Sequence, residues 1–506
     1  MRSPFLARFR GLAAGHPAVA IEDDQGSRSF SALYEGALRA REALCSGTTS
    51  LEGRRVAILL PPGAAWVEAF LGIVAGGGVA VPLSPLYPPA ELSWFAADAG
   101  ADTAIVAAEL DERASLLAAG RRILRPEDLL AASPSEPAAI AAIAPTDTAL
   151  LLYTSGTTGK PKGARITHEN LAVQGELLRA AWGYRDDDAL LHALPLHHLH
   201  GLGISLLTTL LAGARARMLP RFEARRVWEA LAGGGITVWM AVPTMYQKLL
   251  EAFDAEGPAT QARWAAGARG LRLATSGSAA LPVTLAARWR ALSGAIPLER
   301  FGMTEIGVGM SNPLDPEARR AGSVGPALPT VSARIVDDAG ADLEAGPGEL
   351  YIRGPSVFPG YWQREDATAA AFADGWFKTG DVAERTPDGY VRLLGRTSVD
   401  ILKSGGYKLS ALEIEEALRD HDAIAEIAVV GVPDETWGDR VVAVVVPVSG
   451  RDVECSEELL RAWARERLAV YKVPRQVIVV ASLPRNALGK VVKPELMKAI
   501  VAGALR

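Results

Sequence analysis

The residues Thr154 to Gly163, TSGTTGKPKG, hold the densest set of groups suited to gripping an anion. Glycines let a backbone close around phosphate oxygens, hydroxyls and amides donate hydrogen bonds, and lysines balance the charge. The spacing is not that of the GxxxxGK[ST] phosphate loop, because the Lys-Ser/Thr pair is missing. Four single residues carry further chemistry. Asp381, in TGD, is either a solvated turn acid or a carboxylate placed to take both hydroxyls of a ribose. Glu305, in MTE, is plain by itself, since most glutamates are surface residues, although its carboxylate is a hard oxygen donor. Lys490, in the loop-like LPRNALGK, would by itself be a solvated cation. Arg300, just before FGMTE, has a planar fork that matches a carboxylate, with a salt bridge to Glu299 as its other use.

These residues need strands and helices to hold them. Apolar β-branched runs alternate with helical segments: RRVAILL, AAWVEAFLGIVAG, VAVPL, ADTAIVAA, and later GITVWMAVP and GLRLATSG. That rhythm predicts layered α/β structure with parallel strands, whose ends collect binding residues. From about residue 320 the texture changes to short strands broken by DDAG, GPG and PDG turns, which predicts a β-rich subregion. Beyond Arg396 a compact α+β unit is expected: helix ALEIEEALRD, strands IAEIAVVGV and RVVAVVVPV, then helix SEELLRAWARERL. The expected fold class is therefore α/β, with a large domain at 1–396 and a small one at 397–506.

At 506 residues the chain exceeds one hydrophobic core. A net charge of -5 without long single-sign runs offers no footprint for nucleic acid or an anionic membrane. The longest apolar stretch, Ala69 to Leu83, contains three consecutive glycines and Pro82, and falls short of the roughly 18 residues that span a bilayer. Cys45 and Cys455 are far apart and show no metal spacing, so a reducing, cytoplasmic setting is expected. The start, MRSPFLARFRGLAAGH, has arginines and no acid, as transit peptides do, but Pro4 and the lack of a small-residue cleavage site count against that role.

The decapeptide resembles the phosphate loop of the acyl-adenylate-forming superfamily, which includes acyl-CoA synthetases, nonribosomal peptide adenylation domains and firefly luciferase. Further motifs agree in order: ALPLHHLHG, SGSAALP, RFGMTE, FKTGD, the GR of Gly395 and Arg396, KSGGYKLS and LPRNALGK. The resemblance implies ATP and coenzyme A as cosubstrates and Mg2+ as cofactor. By it, Thr154, Ser155, Gly156, Thr157, Thr158, Gly159 and Lys162 cradle phosphates, and Thr158 and Glu305 serve the metal. Thr304 lies beside the α-phosphate, Asp381 and Arg396 hold the ribose, Phe301 and Gly302 pack near the adenine, and Gly277, Ser278 and Ala279 line it. Lys490 is the catalytic cation of adenylation. The small domain is expected to rotate about a hinge, with Ser398 at the usual acidic or lysine position, and to bring Lys403, Ser404, Gly405 and Gly406 to coenzyme A.

Substrate choice rests on other residues. VPTMYQKLL, SGSAALP, LERFGMTEIGVGMSNP and AGSVGPALP are similar to malonyl-CoA synthetases. That likeness implies malonate, with methylmalonate second, and Arg300 on the distal carboxylate. Ser276, Met303, His198 and His200 line the acyl side by family position; the other reading of the histidines, as members of a loop, is as simple hydrogen-bonding residues, and no metal spacing argues for ligation. A monocarboxylate ligase or a carrier-loading adenylating enzyme is the alternative, although the residues after Lys490 leave no room for an attached carrier module. A non-catalytic nucleotide-binding homologue would lack one of Lys490, Glu305, Asp381 or the phosphate loop, and this chain has all of them.

Overall fold

The computed structural model describes residues 3–505, apart from 17, 135–142, 155–160, 406 and 486–490. By proximity the chain forms two compact units. The first comprises Met1–Leu281, Leu285–Ser332 and Ile352–Phe377; the second comprises Pro282–Thr284, Ala333–Tyr351 and Lys378–Arg506. The 396/397 boundary expected from the motifs lies inside the second unit, where strand Val391–Arg396 is paired to strand Trp376–Arg385.

Two sheets organise the first unit. A six-stranded sheet has the order Arg122–Leu124, Thr103–Val106, Arg55–Leu59, Val79–Pro82, Thr148–Thr154 and Lys162–Thr167. Its pairs are parallel except the last, which is antiparallel. The eight-stranded sheet runs Gly307–Ser311, Leu298–Met303, Leu273–Ser276, Val238–Ala241, Ala189–His192, Arg215–Met218, Val19–Asp23 and Gly26–Ser29. It too is parallel in its middle and antiparallel at both edges. Strands Ala189–His192, Val238–Ala241 and Leu273–Ser276 are buried along their length, which is why their sequences are mostly apolar rather than alternating.

The apolar stretch from Ala69 to Leu83 becomes the end of helix Ala64–Ala75 and strand Val79–Pro82, and nearly all of it is buried. No helix among the described residues is long and apolar enough to cross a membrane. The N-terminal segment forms helix Pro4–Gly15, with Ser3 as N-cap and Phe5, Leu6 and Phe9 in the core.

In the second unit, strand Gly438–Pro447 lies at the centre of a sheet, pairing with Ile424–Asp434, Gln476–Val479 and Ile401–Ser404, the last of which pairs in turn with Tyr407–Ser410. Alternation sends Val429, Val441, Ala443 and Val445 to one core with helices Ala411–Arg419 and Glu457–Arg465. Val430, Val442 and Val444 face a second core with Leu496 and Ile500 of helix Lys493–Val501. Both faces are covered, which accounts for the unbroken run VVAVVV.

Candidate functional site

In the first unit the phosphate-loop motif follows a buried strand, as expected. Its flanks Thr154 and Lys162 are antiparallel partners, while Ser155, Gly156, Thr157, Thr158 and Gly159 lie outside the described residues. The Lys162 ammonium stands 5.0 Å from the centre of the Tyr361 ring, a cation–π distance. The same tyrosine donates its hydroxyl hydrogen to Glu305 Oε1 at 2.9 Å. Tyr361 therefore joins the lysine of the phosphate motif to the carboxylate expected at the metal. Sequence reasoning missed Tyr361: it lies 56 positions from Glu305, in FPGYWQ, with no motif of its own.

Thr304 and Glu305 sit in the turn between strands Leu298–Met303 and Gly307–Ser311. Gly307 has φ +69°, and a Cβ there would overlap Gln174 Oε1, the acceptor of the Val308 amide at 2.8 Å. A Cβ at Gly302 would meet the Gly307 carbonyl at 2.2 Å. The glycines thus close the hairpin tightly enough to fix Glu305, which is buried, while Met303 and Thr304 are half-buried. Among the described residues no three His, Cys, Asp or Glu side chains cluster to hold a metal by themselves. Glu305 suits Mg2+ all the same, since that ion keeps waters and phosphate oxygens and needs only one or two protein carboxylates.

Of the residues expected on the acyl side, His200 lies within electrostatic reach of Arg300. Its guanidinium packs on Gly277, where a Cβ would fall 2.5 Å from Cζ. Only 4% of the residue is exposed, and neither Nε nor Nη2 has a hydrogen-bond partner among the described residues. Burial pulls its pKa down to about 10, and no charged partner offsets this. The salt bridge to Glu299 is not made; adjacent residues of a strand point to opposite faces, and Glu299 Oε1 accepts from the Gly322 amide at 2.9 Å. The buried Ser276 Oγ and His200 Nε2 also lack partners among the described residues. His200 Nδ1 lies 3.1 Å from Ser278 Oγ. Burial, then the Arg300 charge, hold His200 well below the usual 6.5, so it is neutral at pH 7.

The expectation that His200 belongs to a loop is corrected: it begins a π-helix, His200–Leu207. Gly201 permits this, since a Cβ there would be 2.2 Å from the Pro195 carbonyl. His198, half-buried, precedes it, its ring centre 4.2 Å from that of His197. Phe301 is buried next to Arg300, while Ser278 and Ala279 are exposed beyond the end of strand Leu273–Ser276. Tyr246 donates to the Thr275 carbonyl at 2.9 Å and steadies that strand end.

In the second unit Asp381 and Arg396 face each other across two antiparallel strands. Arg396 Nε lies 3.0 Å from Asp381 Oδ1, and Nη1 donates to the Thr379 carbonyl at 3.0 Å. Lys403, Ser404 and Gly405 lead into the tip of the hairpin Ile401–Ser404 and Tyr407–Ser410, with the Gly405 amide donating to the Trp437 carbonyl at 2.9 Å. Gly406 and Lys490 lie outside the described residues.

Two models of known families match: "AMP-binding enzyme" over residues 9–362 and "AMP-binding enzyme C-terminal domain" over 413–490. The chain belongs to the AMP-binding enzyme family. Among curated relatives, the mitochondrial malonate–CoA ligase ACSF3 of Mus musculus is 41% identical, covering 98% of this chain and 91% of its own. Malonate–CoA ligase of Arabidopsis thaliana is 38% identical, over 98% of this chain and 88% of its own. ATP-bound MatB from Rhodopseudomonas palustris superposes with a TM-score of 0.89 at 34% identity, covering 99% of both chains. The chain is thus an AMP-forming acyl-CoA synthetase: it joins an acid to coenzyme A through an acyl-adenylate, with ATP and coenzyme A as its cosubstrates.

Proposed function

We propose that the acid is malonate, with methylmalonate, which keeps both carboxylates, as a second substrate. The observation that carries this reading is the Arg300 guanidinium, buried without a partner among the described residues at the acyl side. A desolvated cation is costly to a fold unless an anion meets it. The distal carboxylate of a dicarboxylate supplies that anion in a bidentate geometry; a hydrocarbon tail does not. Relatives named malonate–CoA ligase support the same choice.

The residue roles follow. Thr154–Gly159 and Lys162 hold the phosphates, and Asp381 with Arg396 holds the ribose. Phe301 and Gly302 pack near the base, which Gly277, Ser278 and Ala279 line. Ser276, His198, His200 and Met303 line the acyl pocket. Glu305 and Thr158 hold Mg2+, which neutralises phosphate charge when bound. The free carboxylate oxygen bonds to the α-phosphorus and pyrophosphate leaves, with Lys490 offsetting the repulsion of the two anions and Thr304 beside the α-phosphate. The coenzyme A sulfur then bonds to the carbonyl carbon, its proton passes to solvent, and AMP departs with the electron pair. Residues 403–406 serve that second step, and 397–506 forms the mobile domain with Ser398 in its hinge. The setting is cytoplasmic, in keeping with two buried free thiols.

The test is AMP release by the wild-type protein with ATP, Mg2+ and coenzyme A, comparing malonate, methylmalonate and butyrate. Malonate is expected to exceed butyrate by at least a hundredfold in kcat/KM. Equal or faster turnover of butyrate would identify a monocarboxylate ligase, and AMP release without free thioester would identify a carrier-loading enzyme.

A further inference from the structure

Lys493 opens the C-terminal helix, yet its side chain is only 12% exposed. Its ammonium lies 2.5 Å from Asp400 Oδ1 and 2.7 Å from Glu415 Oε1, two carboxylates that are themselves buried. Burial by itself lowers the lysine's pKa, but Glu415 and Asp400 outweigh this and raise it, so the lysine is a cation at neutral pH. Each carboxylate holds a separate piece of backbone. Glu415 Oε1 accepts from the Val429 amide at 2.8 Å, in strand Ile424–Asp434. Asp400 Oδ2 accepts from the Arg396 amide at 3.0 Å, and its own amide returns a bond to the Arg396 carbonyl at 2.8 Å.

Those contacts close residues 396–400 into a tight turn. Gly395, with φ +126°, makes the turn possible: a Cβ there would lie 2.3 Å from the Asp400 Cβ. At the other end of the same residue, the Arg396 guanidinium is paired to Asp381. One polar path, all within the second unit, therefore runs Lys493, Asp400, Arg396, Asp381.

We propose that Lys493 is a positioning residue for nucleotide binding. It fixes Asp400, Asp400 fixes the Arg396 backbone, and Arg396 then presents Asp381 in one orientation. The proposal rests on the reading of Asp381 and Arg396 as the ribose holders. Lys493 touches neither nucleotide nor reacting atoms. The buried cluster has a net charge of -1, so removing the lysine leaves two carboxylates facing each other, and Asp400 turns away from the Arg396 amide.

The experiment measures the AMP dissociation constant by calorimetry and the KM for ATP by AMP release, in the full chain and in Lys493→Met, Lys493→Arg and Asp381→Ala. Lys493→Met is expected to weaken AMP binding and raise the KM for ATP by about tenfold or more. The KM for the acid at saturating ATP stays within twofold, and Lys493→Arg, which retains both ion pairs, stays within threefold throughout. If Lys493→Met does not fold, Lys493→Met with Glu415→Gln, which restores the cluster to -1, takes its place with the same expectation. A purely structural lysine would lower the folded fraction while leaving the AMP affinity of the folded protein unchanged, and that result overturns the proposal. Asp381→Ala separates the two layers. Weaker AMP binding in Asp381→Ala alone refutes only the role of Lys493, whereas unchanged binding in Asp381→Ala refutes the ribose reading and this proposal with it.

Discussion

Arg300→Met keeps the length and apolar stem of the side chain and removes only its charged head. The cost of holding that charge can be taken from its environment. Burial pulls its pKa from the ordinary arginine value down to about 10, which corresponds to about 3 kcal/mol, at ~1.36 kcal/mol for each tenfold change in proton affinity. The folded-state pKa is depressed below the unfolded one, so the penalty is present in full at neutral pH, below both values, and fades only as pH rises above about 10. Two consequences of similar size and opposite benefit result. Without substrate, Arg300→Met is expected to be more stable by up to about 3 kcal/mol, raising the denaturation midpoint. In the reaction, loss of the bidentate partner of the distal carboxylate removes about 3 kcal/mol of discrimination, or roughly a hundredfold in the malonate-to-butyrate ratio of kcat/KM. AMP release with both acids, alongside thermal denaturation with and without malonate, reads both. A variant that is less stable than wild type and keeps the preference for malonate would show that the guanidinium is structural, and the argument from its isolation would fail.

Tyr361→Phe keeps the ring beside Lys162 but removes the hydrogen bond to Glu305; a loss of about 1 kcal/mol or slightly more predicts a roughly tenfold lower kcat with a raised Mg2+ requirement, checked by titrating the metal at saturating ATP. Gly277→Ala places a methyl against the Arg300 guanidinium, so the KM for malonate is expected to rise tenfold or more, and the malonate-to-butyrate ratio of kcat/KM, in which any effect on ATP binding cancels, to fall by a similar factor. Glu68 is pushed up to about 7, first by burial, where Gly36 makes room for it between two helices. The native protein binds its proton more tightly than the unfolded chain, so stability falls as pH rises from about 4.5 through 7. Glu68→Gln is therefore expected to match wild type near pH 5 and exceed it at pH 8 in urea denaturation midpoint; equal midpoints at pH 8 would show that the carboxylate is relieved in another way.

The reaction class was legible because its motifs are short, contiguous and bound to strand ends. ALLLY announced the buried strand before the phosphate motif, TGD and GR fell on paired strands, and each glycine of RFGMTEIG proved to be required by a specific contact in the hairpin. The apolar runs also identified the parallel strands correctly, since burial on both faces leaves that trace in composition. Contacts between distant segments left no such trace. Nothing local tells that Tyr361 reaches Glu305, or that Lys493 reaches Asp400. The choice between a Glu299 salt bridge and an unpaired Arg300 stayed open in the sequence because it depends on which face of strand Leu298–Met303 meets the Gly322 amide. The π-helix at His200 was missed because its wider turn depends on the close approach of Gly201 to the Pro195 carbonyl, a contact that periodicity does not encode.

The isolated guanidinium also bears on how such an enzyme changes over generations. A residue that strains the fold and serves only the substrate is one that drift removes as soon as the substrate stops mattering, because its loss is neutral or favourable for folding. The route from a dicarboxylate ligase to one for uncharged tails thus gains stability, and the return requires a protein stable enough to bury a charge again. Persistence of Arg300 in a lineage would then measure continuing demand for the dicarboxylate product.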